Sequence, residues 1–320
     1  MWLRQKSFLR KEHAMSKLAF IFPGQGAQKA GMGKDFYDNS EAARSFFDNA
    51  QKIFDFDLKE MCFGEHEELN LTEYTQPCMV SVCLAIVREL KKRGINPDIT
   101  AGLSLGEYAA VAAAGGMNEL DAIKLVRRRG ILMQSTVPAG EGAMAAVLGL
   151  DAKKIEEILE SFENVWIANY NCPGQIVITG LAEAVAEASE KLKSAGARRV
   201  IPLNVSGPFH SAMLITAGKE LGKVLEGITL HQLKIPYVTN VTAEYVEDPS
   251  ETKALLEKQI SSSVRWQQSV ENMIRQGVDT FVEIGPGRTL AGFMRKIDRN
   301  VKVYNIQTVE DAEKVCQELK

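Results

Sequence analysis

An α/β core carrying a small inserted βαββαβ unit is the fold class this 320-residue sequence predicts. Three observations predict it. Apolar runs of strand length alternate with helical segments over most of the chain, as in a sheet covered on both faces. Between 142 and 205 the rhythm becomes strand–helix–strand–strand–helix–strand, the order of a ferredoxin-like unit. The composition, 45% hydrophobic and 25% charged, is an ordinary globular mix that excludes disordered and low-complexity classes.

The elements follow in order. Lys17–Phe22 (KLAFIF) reads as a buried strand, and Pro23–Gln28 as a Gly-rich turn. Phe46, Phe47, Ala50 and Phe54 mark one face of a helical region. A long helix is predicted over 75–93, stopped by Gly94, then a strand at Asp98–Ala101 and helices near 107–114 and 119–134. In the inserted unit, Gly142–Leu150, Val165–Asn169, Gln175–Thr179 and Arg198–Pro202 read as strands. Asp151 caps a helix through Phe162, Asn171-Cys172-Pro173-Gly174 makes a turn, and Leu181–Ala195 is a helix closed by Gly196. The core resumes with helix 211–226, strand 235–239, helices around 252–275, strand 279–284, helix 288–297 and strand 302–306. The predicted division is a core of 16–138 and 206–320 with a ferredoxin-like subdomain at 139–205.

Residues 1–15 stand apart from this pattern. Charges recur through 1–14, so no apolar run of the kind a secretory signal needs is present. Met15 reads as the natural start, with the preceding residues an added leader; a short targeting segment is the alternative.

Charge and cysteine usage narrow the function. Lys+Arg number 38 and Asp+Glu 41, a net charge of −3, which argues against a nucleic-acid binder. No stretch reaches the ~18 apolar residues of a membrane span. The five cysteines form no CxxC pair and none adjoins a histidine, so neither a disulfide framework nor a metal site is predicted; a reducing cytoplasm fits.

Gly102-Leu103-Ser104-Leu105-Gly106 matches the G-x-S-x-G elbow, a sharp strand-to-helix turn that presents a serine. An ordinary Gly/Ser turn is the plain alternative. A serine nucleophile needs a general base. Of the four histidines, His13 lies in the leader, and His66 and His231 lie among polar residues. His210 sits between a predicted strand and a helix, where a loop can project it into a cleft, although a lone histidine can also be structural. The Gly24-x-Gly26-x-x-Lys29 turn fails the dinucleotide fingerprint at its third glycine. It better suits an oxyanion donor, the backbone N–H of Gln25 pairing with that of Leu105 after the serine. Arg127-Arg128-Arg129, taken alone, is compatible with a solvated helix face.

Six blocks then occur in a recognisable order: Phe22-Pro23-Gly24-Gln25-Gly26, Gly102 through Tyr108, Arg129-Gly130, Asn171 through Gln175, Gly207-Pro208-Phe209-His210-Ser211, and Val282 through Gly287. In these, residues 16–307 resemble the malonyl-CoA:acyl carrier protein transacylases, discrete acyltransferases of type II fatty acid synthesis. The resemblance implies a hydrolase-like core with a ferredoxin-like insert, Ser104 as acyl-accepting nucleophile, His210 as base, and Arg129 as partner of the malonyl carboxylate. Phe209 corresponds to the bulky residue beside the histidine in malonyl-selective relatives, and Asn171 to a site neighbour. Leu103 stands where many relatives have histidine, and Arg265 where several have a glutamine that orients the histidine. Arginine cannot accept a hydrogen bond, so any orienting contact there must use the Arg265 carbonyl.

The implied activity is ping-pong transfer from malonyl-CoA to the phosphopantetheine thiol of an acidic acyl carrier protein, by a monomer with no bound cofactor. Lys191, Lys193, Arg198 and Arg199 form a candidate docking patch. An esterase or thioesterase, passing the acyl group to water, is the rival reaction. A non-catalytic acyl-CoA-binding protein is a further rival that leaves the six blocks unexplained.

Overall fold

A computed structural model describes residues 16–138, 140–205 and 207–319; residues 1–15, on which the readings of a leader and of a start at Met15 fall, and His13 with them, lie outside the described residues. In chain order the strands are β1 (Lys17–Phe22), β2 (Ile99–Gly102), β3 (Gly142–Leu148), β4 (Val165–Cys172), β5 (Gln175–Leu181), β6 (Arg199–Pro202), β7 (Tyr237–Val238), β8 (Tyr245–Val246), β9 (Val278–Ile284) and β10 (Lys302–Ile306). They form two sheets.

The larger sheet has the order β10-β9-β1-β2-β7-β8 and is parallel except for β8, which folds back on β7. β1 explains why both faces are covered. Phe20 and Phe22 enter one apolar cluster with the long helix Thr72–Lys92, while Ala19 and Ile21 enter another with Trp266 and Phe281. A strand buried on both faces reads as an unbroken apolar run, which is why KLAFIF was legible.

The smaller sheet has the order β4-β5-β3-β6 and is antiparallel throughout. β5 lies between β3 and β4, and β3 between β5 and β6, so each βαβ unit is split by a strand of the other. That is the ferredoxin-like arrangement. Val147, Ile155, Ile178, Ala188 and Leu192 give it a separate core. β4 also ties the sheets together, because Tyr170 N–H donates to the Val264 carbonyl and Val264 N–H to that of Ala168.

Several predicted boundaries move. The long helix starts at Thr72, a turn before the predicted 75, and carries Pro77 inside it. Asn171 and Cys172 belong to β4 rather than to the turn, which narrows to Pro173-Gly174. Strand 235–239 shortens to β7, and its partner β8 has no counterpart among the predicted elements. The helical stretch at 252–275 breaks into Thr252–Gln259 and Trp266–Arg275, an interruption that turns out to serve the site. The last helix, Val309–Glu318, was not predicted, although Thr308 and Asp311 form a capping box at its start.

The end of β2 places Ser104. A Cβ on Gly102 would lie 2.0 Å from the backbone carbon of Gly106, and one on Gly106 would lie 2.4 Å from the Phe22 carbonyl oxygen. Only backbone fits at either position, so the chain can leave β2 and enter helix Gly106–Ala113 within three residues. Gly106→Ala should therefore destabilise the protein by roughly 1–3 kcal/mol through forced backbone displacement. A urea denaturation midpoint equal to that of the wild type would contradict this packing.

Candidate active site

Ser104 sits at the tip of the elbow with φ 56°, a left-handed conformation that non-glycine residues hold only when their surroundings enforce it. Here the enforcement is visible. Its N–H donates to Asn240 Oδ1 at 2.7 Å, and Asn240 Nδ2 donates to the Gly102 carbonyl at 2.6 Å. Its carbonyl accepts from Gln259 Nε2 at 2.9 Å. Side chains from two distant segments thus clamp the turn.

His210 lies in the loop after β6, buried, also with positive φ (58°). Its Nε2 is 2.7 Å from Ser104 Oγ. Its Nδ1 faces two carbonyl oxygens, those of Gln259 at 3.0 Å and Ser262 at 3.1 Å. Carbonyls only accept, so Nδ1 carries the ring hydrogen and Nε2 presents its lone pair to the serine. Both carbonyls come from the end and break of helix Thr252–Gln259, where, among the described residues, the Gln259 carbonyl accepts only the Ser262 N–H at 3.3 Å and keeps a lone pair for the ring. Burial, and secondly the charge of Arg129, push the His210 pKa down to about 3.

Arg129 is fully buried on helix Glu119–Ser135. Its Nη1 donates to Gln76 Oε1 at 2.9 Å; its Nη2 donates to Gln259 Oε1 at 2.9 Å and to Ser104 Oγ at 3.1 Å. The Tyr108 ring lies beneath the guanidinium, 5.4 Å from its carbon. Among the described residues it forms no ion pair. The three consecutive arginines have three fates: Arg127 pairs with Glu73 and stacks on Tyr74, Arg128 is exposed, and Arg129 points inward.

These groups meet on one wall of a cavity of about 470 Å³ between the two sheets. Gln25, Leu105, Phe209 and Asn171 line it too, so most of the predicted site residues converge. Neither the Gln25 nor the Leu105 backbone N–H donates to another group among the described residues, which leaves both available to an oxyanion. The Oδ1 of Asn171 is buried without a partner. Arg265 is the exception. It is exposed at the start of helix Trp266–Arg275, its carbonyl accepts from Ser269, and its guanidinium lies over Tyr170. Histidine orientation falls instead to the carbonyls of Gln259 and Ser262.

Four further residues escaped sequence reasoning. Gln76 is a polar residue on the buried face of an apolar helix, a signal that could have singled it out. Asn240 and Gln259 reach the elbow from 136 and 155 residues away, with no local pattern to mark them. Glu107 follows the elbow directly. It is buried, and its Oε2 accepts from Gln259 Nε2 at 2.6 Å and from the Asn240 N–H at 3.2 Å. Burial raises its pKa to about 7.

With this geometry established, similarity to known proteins is informative. Residues 19–314 match the family model described as acyl transferase domain. The chain belongs to the acyl transferase family. It is 44% identical to the malonyl CoA-acyl carrier protein transacylase of Bacillus subtilis (strain 168) over 311 residues, covering 96% of this chain and 98% of that protein. The crystal structure of malonyl CoA-acyl carrier protein transacylase from Clostridium perfringens is similar at 42% identity and TM-score 0.92, with 95% of this chain and 97% of that one covered. A complex of a type II PKS acyl-carrier protein with its malonyl-transacylase matches at 37% identity and TM-score 0.91, over 95% of this chain and all of that one. The family resemblance and the fold expected from the six blocks hold. No helix among the described residues is long and apolar enough to cross a membrane, and no cluster of three or more metal-ligating side chains occurs among them.

The two perturbed groups make opposite contributions to stability. His210 has a folded pKa below its unfolded 6.5, so its contribution is present above pH 6.5 and is lost as pH falls toward 3. Glu107 has a folded pKa above its unfolded 4.5, so its contribution is present below pH 4.5 and is lost as pH rises through about 7. Glu107→Gln should therefore gain on the wild type as pH rises from 5 to 8, measured by urea denaturation. A constant difference would show that Glu107 ionises normally. The depressed histidine also predicts that kcat/KM with acyl-CoA changes less than about twofold between pH 7.5 and 5.5, where an imidazole of pKa 6.5 would lose about tenfold.

Proposed function

We propose that this chain transfers a malonyl group from malonyl-CoA to the phosphopantetheine thiol of an acyl carrier protein through a malonyl ester on Ser104. One observation carries the reading: Ser104 Oγ lies within hydrogen-bond distance of both His210 Nε2 and a buried, unpaired guanidinium. A dyad beside such a cation suits an acyl group that ends in a carboxylate. The names of the relatives support the same substrates.

In the first half-reaction the Ser104 hydroxyl gives its proton to His210 Nε2 and its oxygen attacks the thioester carbon. The N–H groups of Gln25 and Leu105 hold the developing oxyanion. On collapse the carbon–sulfur bond breaks, its electron pair stays on the CoA sulfur, and His210 returns the proton to it. The second half-reaction repeats these steps with the carrier's thiol as nucleophile and Ser104 as leaving group. Arg129 holds the malonyl carboxylate throughout, end-on and bidentate. Phe209 narrows the cavity beside His210, which disfavours a branched methylmalonyl unit.

The division into a core of 16–138 and 206–320 and a subdomain of 139–205 belongs to this reading, with the acyl group held in the crevice between them. Every site residue comes from one chain, so a monomer suffices. Five free, buried cysteines fit a cytoplasmic enzyme.

For the acidic carrier protein, two basic surfaces compete. Lys193 of the patch expected from sequence pairs with Glu190, and Lys191 and Lys193 occupy the last turn of their helix, where cations offset the helix dipole. Arg198 and Arg199 of that patch are exposed and outside any ion pair among the described residues; the second candidate is the ridge of Arg295, Lys296, Arg299 and Lys302. All four are exposed, and none forms an ion pair among the described residues. The helix bearing Arg295 and Lys296 also contributes Thr289, Leu290 and Phe293 to the cavity wall, so a carrier docked there has its prosthetic arm at the entrance.

The test is intact-protein mass after brief mixing with malonyl-CoA, then with carrier protein. One malonyl adduct on the wild type, absent from Ser104→Ala and discharged onto the carrier, is the expected outcome; an adduct that decays in buffer as fast as with carrier makes the protein a hydrolase. Arg129→Ala should lose ~2–5 kcal/mol of discrimination for malonyl over acetyl in kcat/KM, the scale of an unpaired buried charge. Unchanged selectivity removes Arg129 from the site. Charge reversal at Arg295 and Arg299 should slow discharge onto the carrier by about tenfold at low salt while leaving acylation by malonyl-CoA intact. Equal discharge rates reject the ridge.

A further inference from the structure

The contact between Arg129 and Ser104 has a cost for catalysis that binding of a carboxylate removes. Arginine only donates, so Nη2 at 3.1 Å occupies a lone pair of the Ser104 oxygen, while the serine hydrogen points to His210 Nε2. A hydroxyl oxygen keeps a second lone pair, but this hydrogen bond draws electron density from it and holds the side chain in place, which slows attack on a thioester. The donor inventory of the guanidinium shows how the serine is freed. Nε is sealed from solvent, which closes the side-on approach. The end-on edge remains, formed by Nη1 and Nη2. Nη1 gives one hydrogen to Gln76, and the two on Nη2 serve Gln259 and Ser104. Gln259 is pinned from behind, because its own Nε2 donates to the Ser104 carbonyl and to Glu107. The contact that can yield to an end-on carboxylate is the one to Ser104 Oγ.

We propose that Arg129 restrains Ser104 in the empty site and that the carboxylate of the incoming acyl group releases it. This inference rests on the malonyl-transfer reading above. It makes the substrate's distal carboxylate part of the activation of the nucleophile as well as a binding handle. The surrounding charges act in the same direction. His210 is depressed by burial first and by Arg129 second, so neutralising Arg129 strengthens the base. From helix Gly106–Ala113, Glu107 and Tyr108 face Arg129, but burial raises Glu107 to about 7 and Tyr108 above the usual phenol range. Glu107 is therefore only partly ionised near neutral pH and Tyr108 is neutral, and the substrate supplies a full negative charge in contact with the guanidinium. Acyl groups without a carboxylate then meet a restrained serine and a weakened base, and discrimination appears in the rate of acylation, not only in KM.

Formate separates the carboxylate from the acyl chain. Acetyl-CoA with free formate offers the two functional ends of a malonyl group without the bond between them. The experiment is single-turnover acetylation of Ser104 by acetyl-CoA, read by intact mass, in sodium formate against equimolar sodium chloride, for the wild type and Arg129→Met. Formate should accelerate acetylation of the wild type by about tenfold, the scale of one hydrogen bond to a charged group. It should not accelerate Arg129→Met, which should already acetylate faster than the wild type in chloride. Acceleration in either arm supports the release. Acetylation that formate leaves unchanged, and that Arg129→Met does not speed up, overturns it. If Arg129→Met does not fold, the formate arm on the wild type decides alone. Failure of the parent reading is separately visible, because the wild type would then form no malonyl adduct with malonyl-CoA.

Discussion

A guanidinium without a carboxylate partner, buried beside a nucleophilic hydroxyl, is the constraint around which this site is built. Removing an ion from water costs several kcal/mol unless other groups solvate it. Here two glutamine oxygens, a serine oxygen and a tyrosine face do so, and none of them cancels the charge. Among the described residues the cation has no anionic partner. In the reading proposed above, that feature favours an acyl group with a free carboxylate; it also adds to burial in lowering the basicity of His210 and contacts the serine oxygen.

Keeping such a cation in place requires a rigid frame, and Gln259 is its centre. Its side-chain oxygen receives Arg129, its side-chain nitrogen reaches the Ser104 carbonyl and Glu107, and its backbone carbonyl receives His210 Nδ1. One residue thus touches Arg129, Ser104 and His210 at once. Glu107 Oε2, which also accepts the Asn240 N–H, takes the nitrogen end of the Gln259 amide. Asn240 holds the other side of the elbow and meets Glu107 through its backbone N–H. The break between helices Thr252–Gln259 and Trp266–Arg275 belongs to this frame, because it turns the Gln259 and Ser262 carbonyls toward His210 Nδ1.

What could be read in the sequence divides along the same line. β1, the elbow and the inserted βαββαβ unit were legible because local rules write them: continuous apolar runs, two glycines around a serine, and strand–helix alternation. Ser104 and His210 stood out because chemistry restricts which residue types can act as nucleophile and base, whereas Arg129 was singled out from its two arginine neighbours only by the family resemblance. The frame was not legible. Gln259 and Asn240 carry no unusual local pattern, and only the fold brings them to the elbow. Arg265 illustrates the converse, since a plausible position in the sequence lies on an exposed helix start away from His210. β8 was lost to its two-residue length, and β7 beside it was over-extended for the same reason.

The most direct measurement of the central claim is equilibrium binding of malonyl-CoA and acetyl-CoA to Ser104→Ala, by calorimetry, with and without the further change Arg129→Met. With chemistry disabled, only recognition is read. Malonyl-CoA should bind Ser104→Ala more tightly than acetyl-CoA by about tenfold or more, as a charge-assisted bidentate pair requires. That preference should vanish in the double variant. Equal affinities for the two thioesters in Ser104→Ala, or a malonyl preference that survives the loss of Arg129, would contradict the assignment of the buried guanidinium as the carboxylate partner.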